Sequence, residues 1–312
     1  MPDAAPEHGP DSLDSAILSF HLSLRARNAA PKTISTYVGA AKVLKSFLAE
    51  NGHPIDVTKI QRPHVEAFVV GQLARYKPST ASVRYRSVQA LFKFLAAERI
   101  IDGSPMTTMK PPKLRETIVP VLGEADLGRL LGACSGRGWE DRRDLALISV
   151  FVDTGARLSE VTGMRFTPQE PTSNDVDLLS GQIRVLGKDD RARLVGIAPR
   201  TSTSIDRWIR ERARRPHAYL PNLWLGKRGK MTISGIADIV KRRAKIAGLG
   251  NVHPHILRHT FAHHWLAGGG NESDLMRLAG WQSRTMLQRY GASAGTERAI
   301  AAHRRLGLMD RL

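Results

Sequence analysis

No part of the chain restricts its fold more than residues 102–121, DGSPMTTMKPPKLRETIVPV. Pro105, Pro111, Pro112 and Pro120 interrupt this stretch. Each proline lacks a backbone donor and fixes φ, so no continuous helix or sheet strand can run through it. The chain therefore reads as two folded bodies with an extended connector, and its 312 residues suffice for two domains of ordinary size. The expected boundaries are a flexible tail over 1–11, a helical domain over 12–102, a linker over 103–120 and a second domain over 121–312.

Before the connector, apolar residues recur at helical spacing. Leu13, Ile17, Phe20 and Leu24 mark a first helix from Ser12. Ile34, Tyr37, Val38, Ala41, Leu44, Phe47 and Leu48 mark a second from Thr33, stopped by Gly52. Val65, Phe68, Val69 and Leu73 mark a third between Pro63 and Tyr76. Val83, Val88, Leu91, Phe92 and Leu95 mark a fourth from Ser79 or Thr80 to near Arg99. Four helices with short connections make a compact all-α domain. Beyond the connector, helical patterns over 124–134, 140–153 and from Arg157 or Leu158 give way to three β-like runs, DVDLL, QIRVL and RLVGIA. The last two are joined by a hairpin turn, GKDDRA. Helical patterns return over 201–215, 232–247, 254–267, 272–279 and 283–290, with a short helix and a tail after them. The expected fold is mainly α with a small β-sheet: a four-helix N-terminal domain followed by an α+β domain.

Lys and Arg number 47 against 29 Asp and Glu, a formal charge of +18, which points to a polyanionic partner and most simply to nucleic acid. The candidate DNA-binding residues are Arg84, Arg86 and Lys93 on the fourth helix and Lys110, Lys113 and Arg115 in the connector. An ordinary solvated face has the same composition. Aromatic residues make up only 6%, which argues against a single-strand binder built on stacking platforms. Cys134 is the only cysteine, so neither an intramolecular disulfide nor a cysteine zinc site can form, as suits a reducing cytoplasm. The N-terminus has acidic residues and prolines but no apolar core, unlike a signal peptide. No apolar run approaches the roughly 18 residues that span a bilayer. A cytoplasmic, nucleoid-associated protein without membrane contact is expected.

Chemistry-bearing residues concentrate over 253–290, HPHILRHTFAHHWLAGGGNESDLMRLAGWQSRTMLQRY. His255 and Arg258 stand three apart on a helix begun by Pro254, so they share one face near its first turn. Basic side chains there oppose the helix dipole, an arrangement that makes sense if an anion binds between them. An unremarkable polar pair has the same spacing. Arg157 follows a Thr-Gly-Ala turn and carries the fork that suits phosphate; pairing with Glu160 one turn on is an equal and compatible reading. Lys188 sits at the hairpin tip, as a solvated turn lysine or as a mobile proton donor. Tyr290 is the candidate nucleophile. Its unperturbed pKa of about 10 demands cationic neighbours and a proton acceptor; a core or capping tyrosine is the alternative. His253, His255, His259, His263 and His264 raise the question of zinc. Thr260 stands where an HExxH motif needs Glu, and no third carboxylate ligand is near in sequence, so no metal is assigned.

Taken in order, these segments resemble the tyrosine recombinases, or phage integrase family. TGARLSEV is similar to the family's first-arginine motif, QIRVLGKDDRARLV to its lysine-bearing hairpin, HILRHTFA to its H-x-L-R-H-T-F-A motif, and LAGWQSRTMLQRYG to the segment that ends in the tyrosine. The resemblance extends over about 12–290 and implies an N-terminal core-binding (SAM-like) domain and a C-terminal tyrosine-recombinase catalytic domain. It implies Arg157, Lys188, His255, Arg258, Trp281 and Tyr290 as catalytic, with Glu160 supporting. The arginines, with Trp281 and His255, would bind the scissile phosphate. Tyr290 would attack it to form a 3′-phosphotyrosine, Lys188 would protonate the leaving 5′-oxygen, and His255 would accept the tyrosine proton. No metal, ATP or other cofactor is implied. Joining to a different strand, done twice, recombines two duplexes. That implies a homotetramer on two double-stranded sites with inverted-repeat cores, with room for a directionality factor. Trp281 departs from the family's commoner histidine; its indole N–H can still donate to phosphate, but an acid–base role there is excluded. No counterpart of the arm-binding domain of some integrases precedes the first helix, which points to a simple recombination site. Ile300, Leu306, Leu308 and Met309, after Tyr290, form either a docking segment for a neighbouring protomer or an amphipathic tail. Two rival classes are a type IB topoisomerase and a catalytically silent DNA-binding regulator. The N-terminal helices and the HILRHTFA match disfavour the first, and the full set of reactive residues disfavours the second.

Overall fold

The computed structural model describes residues 9–114, 120–187, 191–284, 286–287, 295, 299–300 and 303–307. The chain divides into two compact units, Met1–Glu116 and Thr117–Leu312.

The first unit holds α1 (Leu13–Ala26), α2 (Pro31–Glu50), α3 (Arg62–Arg75) and α4 (Pro78–Ala97). Ser12 caps α1 through its hydroxyl, which accepts from the Ser15 N–H. Pro31 and Pro78 open α2 and α4, where a missing donor is harmless, so both helices start slightly before the residues expected. Leu13, Ile17, Phe20 and Leu24 meet Leu44 and Leu48, Val65 and Phe68, and Val88, Leu91, Phe92 and Leu95 in one core. Two expected core residues are on the surface instead: Leu73 is 41% and Val83 49% exposed. At 100° per residue Val83 stands about 200° round α4 from Ala81 and Tyr85, buried residues on either side of it, and the side it faces is buried only further along, at Ser87 and Phe94. Leu73 is one residue off the buried Val65–Phe68–Gln72 stripe. The core also takes in Met106, with Met109 packed against it. Asp11 accepts from the Val57 N–H at 2.8 Å, so both residues join the folded unit.

The second unit comprises α5 (Glu124–Gly132), α6 (Trp139–Thr154), α7 (Leu158–Gly163), α8 (Pro199–Arg212), α9 (Ile233–Ile246), α10 (Pro254–Ala267) and α11 (Glu272–Ala279). Its antiparallel sheet has the order β1 (Val176–Asp177), β2 (Gln182–Leu186), β3 (Ala192–Gly196). A further ribbon, β4 (Leu225–Gly226) with β5 (Gly229–Lys230), was not foreseen, because two-residue strands carry no readable alternation. β1 is shorter than DVDLL promised. The Asp177 carboxylate accepts from the Leu179 and Ser180 N–H groups and the Ser180 hydroxyl, which turns the chain away. The helix expected over 283–290 lies partly outside the described residues.

Helix α6 is the central element: Ala146, Leu147, Ile148, Val150 and Phe151 are all buried, and α8, α9 and α10 pack around it. Its one fully buried carboxylate, Asp144, accepts from Arg143 at 2.7 and 2.9 Å, from Arg242 at 2.9 Å and from Arg243 at 2.8 Å. Arg243 also donates to Asp141 and to the Ala133 carbonyl, so the network ties α6 and α9 to the end of α5.

Candidate active site

The site is organised by the C-terminal end of α11. A helix end leaves its last carbonyls without intrahelical partners. Here Gly280, at φ 62°, turns the chain into the left-handed region. The Gly280 N–H then donates to the Arg277 carbonyl and the Trp281 N–H to that of Met276, a Schellman closure. The next three carbonyls are each taken by an arginine from elsewhere in the chain. Arg193 donates through Nε to Leu278 at 2.6 Å, Arg258 through Nη2 to Ala279 at 2.6 Å, and Arg157 through Nη2 to Gly280 at 3.1 Å. Cations at a helix C-terminus complement its dipole. One helix end thus gathers side chains that lie up to 123 residues away in sequence.

Arg258 projects from the second turn of α10 and is 3% exposed. It also donates through Nη1 to the Gly155 carbonyl at 2.6 Å and lies 5.4 Å from the centre of the Trp281 ring. Gly155 ends α6 at φ 57°, and a β-carbon there would fall 2.3 Å from Phe261 Cδ1. Only glycine lets the chain turn at that point while presenting its carbonyl to Arg258. Two residues on, Arg157 caps α7. Its N–H and Nη1 reach the two oxygens of Glu160 at 2.7 and 2.8 Å, and its side chain stays 41% exposed.

Glu160 is buried beneath Arg157 and is gripped on its other side by the Arg193 fork at 3.0 and 2.8 Å. Burial pushes the carboxyl pKa up, but the forked bonds and charge of Arg193, with the bonds from the Arg157 N–H and guanidinium, outweigh it and hold the pKa down at about 2. The carboxylate is thus a fixed anion shared by two arginines.

His255 is exposed, one turn before the buried His259 on α10. Its Nε2 stands 3.2 Å from Nε2 of the buried His259, with the rings edge to face at 4.6 Å. A shared proton between these nitrogens ties the tautomer of one ring to that of the other. Arg157, His255 and Arg258 line a cleft of about 590 Å³, together with Lys241, Asn251 and His253. Guanidinium groups locked to carbonyls and a carboxylate, with donors left over on Arg157, form a preorganised receptor for a tetrahedral oxyanion.

Of the candidates read from sequence, Arg157, Glu160, His255, Arg258 and Trp281 are brought together here. Lys188 and Tyr290 lie outside the described residues. The hairpin that carries Lys188 closes with a bond from the Gly187 N–H to the Arg191 carbonyl, and a β-carbon on Gly187 would lie 3.9 Å from Glu160 Oε1. The hairpin base therefore adjoins the site. Thr260, which breaks the zinc motif, is buried and accepts from the Leu122 N–H. Arg193 and His259 were not singled out for this site. Arg193 was within reach of sequence reasoning, since it sits in the quoted hairpin motif on an alternating strand. The sequence marks His259 only as a possible metal ligand.

The candidate DNA-binding residues belong to the first unit. Arg86 and Lys93 are both exposed and, seven residues apart, share a face of α4. Arg84 is on the other side: it donates to Gln72 of α3, and its guanidinium lies 4.1 Å from the centre of the Tyr76 ring. Lys110 and Lys113 are exposed, and Arg115 lies outside the described residues.

The sequence matches the phage integrase family over residues 120–297 and the phage integrase N-terminal SAM-like domain over 18–99. It is 31% identical over 231 residues to the tyrosine recombinase XerC of Herpetosiphon aurantiacus, covering 72% of each chain. The fold is similar to that of the XerH site-specific recombinase bound to palindromic difH substrate in a post-cleavage complex, with a TM-score of 0.73 at 18% identity, covering 93% of this chain and 84% of that one. It is also similar to that of a lambda integrase tetramer bound to a Holliday junction, with a TM-score of 0.69 at 16% identity, covering 89% and 77%.

Proposed function

Since the chain belongs to the phage integrase family and is a site-specific tyrosine recombinase, we propose that the α11 cluster is its phosphate-binding centre. Arg157 and Arg258 hold the scissile phosphate of duplex DNA, with the Trp281 indole and His255 beside them. Tyr290 attacks the phosphorus and forms a 3′-phosphotyrosine while the 5′-oxygen departs. Lys188, delivered by the β2–β3 hairpin, protonates that oxygen, and His255 accepts the tyrosine proton. Bond energy is conserved in the protein–DNA linkage, so the reverse attack by a 5′-hydroxyl of the partner duplex reseals the strand without ATP or metal. The supporting observation is the pair of guanidinium groups fixed on the adjacent carbonyls of Ala279 and Gly280 and opening on one cleft with His255. Charge gathering on the phosphate oxygens meets donors that need no reorganisation, and a single such donor is worth roughly 10²–10³ in rate.

Two duplexes exchanged through a four-way junction require four active sites, hence four protomers on two inverted-repeat core sites. Ile300 and Leu306, 48% and 61% exposed, offer apolar surface for contact between protomers. Leu308 and Met309 lie outside the described residues. Arg86, Lys93, Lys110 and Lys113 contribute sequence-independent phosphate contacts. No helix among the described residues is long and apolar enough to cross a membrane. A nucleoid-associated place in the cytoplasm fits a protein with this substrate. The direction of the reaction, and any factor that sets it, is a property of the DNA site and its partners.

The test is recombination between two labelled duplexes that carry the site, run in EDTA with purified protein. Hybrid products with parental sequence on either side of the core support the reading. Relaxation of supercoiled plasmid without hybrid products indicates a topoisomerase, and binding without strand exchange indicates a regulator.

A further inference from the structure

The end of α11 holds three arginines, and the third has no place in the chemistry above. Arg193 is on β3, opposite Val185 of β2. Its side chain is only 14% exposed, and it does not line the cleft that Arg157, His255 and Arg258 share. Yet every N–H-bearing nitrogen of its guanidinium is engaged: Nε on the Leu278 carbonyl, Nη1 and Nη2 on the two oxygens of Glu160. The Gly280 α-carbon closes over it, since a β-carbon there would stand 3.1 Å from Arg193 Nη1 and 3.5 Å from Arg157 Nη1.

We propose that Arg193 is a positioning residue for strand cleavage. It acts through Glu160 to set Arg157 beside Arg258, and it clamps the strand leaving the Lys188 hairpin to the turn that carries Trp281. The inference rests on the reading of Arg157 as a phosphate ligand. The geometry has a direct consequence. Glu160 bonds Arg157 twice and Arg193 twice. Without Arg193, a buried carboxylate loses half of its donors, and Burial then favours its protonated form, which grips Arg157 less firmly. The Leu278 carbonyl is orphaned at the same time, loosening the helix end on which the other two arginines rest. A displacement of about 1 Å at a phosphate ligand is enough to cost on the order of 10²-fold in rate.

The test is single-turnover cleavage of a nicked suicide duplex at saturating protein, with DNA affinity and thermal unfolding measured in parallel. The variants are Arg193→Met, Arg193→Lys, Glu160→Gln and the double variant Glu160→Gln/Arg193→Met. Arg193→Met is expected to slow cleavage by roughly 10²-fold while DNA affinity stays within about twofold. Arg193→Lys, which keeps the charge but not the fork, recovers only part of the rate. The double variant is no slower than Glu160→Gln alone, because both changes break one linkage. Should Arg193→Met fail to fold, Arg193→Lys takes its place in the cycle. An unchanged rate, multiplicative losses in the double variant, or a loss of affinity equal to the loss of rate each overturns the proposal. Arg157→Ala in the same assay separates the two readings. If it cleaves normally, the phosphate-binding centre itself is wrong; if it is inactive while Arg193→Met cleaves normally, only the role of Arg193 falls.

Discussion

Gly280 and Gly155 decide how the reactive side chains meet. Both adopt left-handed backbone at a helix end, and both present a carbonyl to an arginine. Gly280→Ala is expected to lose about 1–2 kcal/mol of stability from the strained φ, and to slow cleavage because its methyl presses on Arg193. Gly155→Ala is expected to be worse, by about 2–4 kcal/mol, since strain adds to a collision with Phe261. Urea unfolding ranks the two, with Gly163→Ala as a control in open space. Glu160 gives a pH signature. Its pKa lies below the unfolded value, dropping from 4.5 to about 2, so its stabilising share is complete above pH about 5 and is lost as pH falls between about 4.5 and 2. The shift corresponds to about 3 kcal/mol, and the stability gap between the wild type and Glu160→Gln should narrow by about 1 kcal/mol between pH 6 and pH 3.5. An unchanged gap would mean that the arginines do not hold the carboxylate as described. Arg157, Glu160, His255, Arg258 and Trp281 were legible because each belongs to a short motif. Arg193 lies in the lysine-bearing hairpin motif as well, but its role was not legible there, because its partners are 33 and 85 residues away.

Among the elements, α6 carries the second unit and Asp144 is its polar anchor. Asp144→Asn leaves three buried or half-buried guanidinium groups short of their counter-charge, and removing one partner of such a network costs about 3–5 kcal/mol. The midpoint of urea unfolding should fall accordingly; a shift below about 1 kcal/mol would show that water replaces the carboxylate without penalty. Helices were the most readable elements, since a period of 3.6 over three or more turns leaves little ambiguity, and α10 and α11 begin and end as expected. The faces were less readable. Leu73 is one position off the buried stripe of α3, and Val83 lies on a side of α4 that is buried only further along, at Ser87 and Phe94. β1 failed to extend for a different reason: Asp177 captures the following backbone donors in a turn that competes with the strand.

Taken whole, the molecule carries a formal charge of +18 spread over both units, and that charge sets how it meets a duplex. Replacing Arg86 and Lys93 by Gln should weaken binding across all sequences and reduce the slope of log affinity against log salt by about 1 per residue. Cleavage at saturating protein should stay near wild type; a change in cleavage with no change in salt slope would place these residues outside the phosphate track. The charge was legible from composition, whereas the convergence of distant arginines on one helix end was not. The first measurement to make is covalent trapping. Duplexes flanking the gene, nicked near candidate inverted repeats so that cleavage cannot reverse, are mixed with protein in EDTA and resolved in SDS. If Tyr290 is the nucleophile, wild-type protein gives a slow-migrating protein–DNA band and Tyr290→Phe gives none. A band that persists in Tyr290→Phe, or one that forms only with divalent metal, contradicts the tyrosine mechanism.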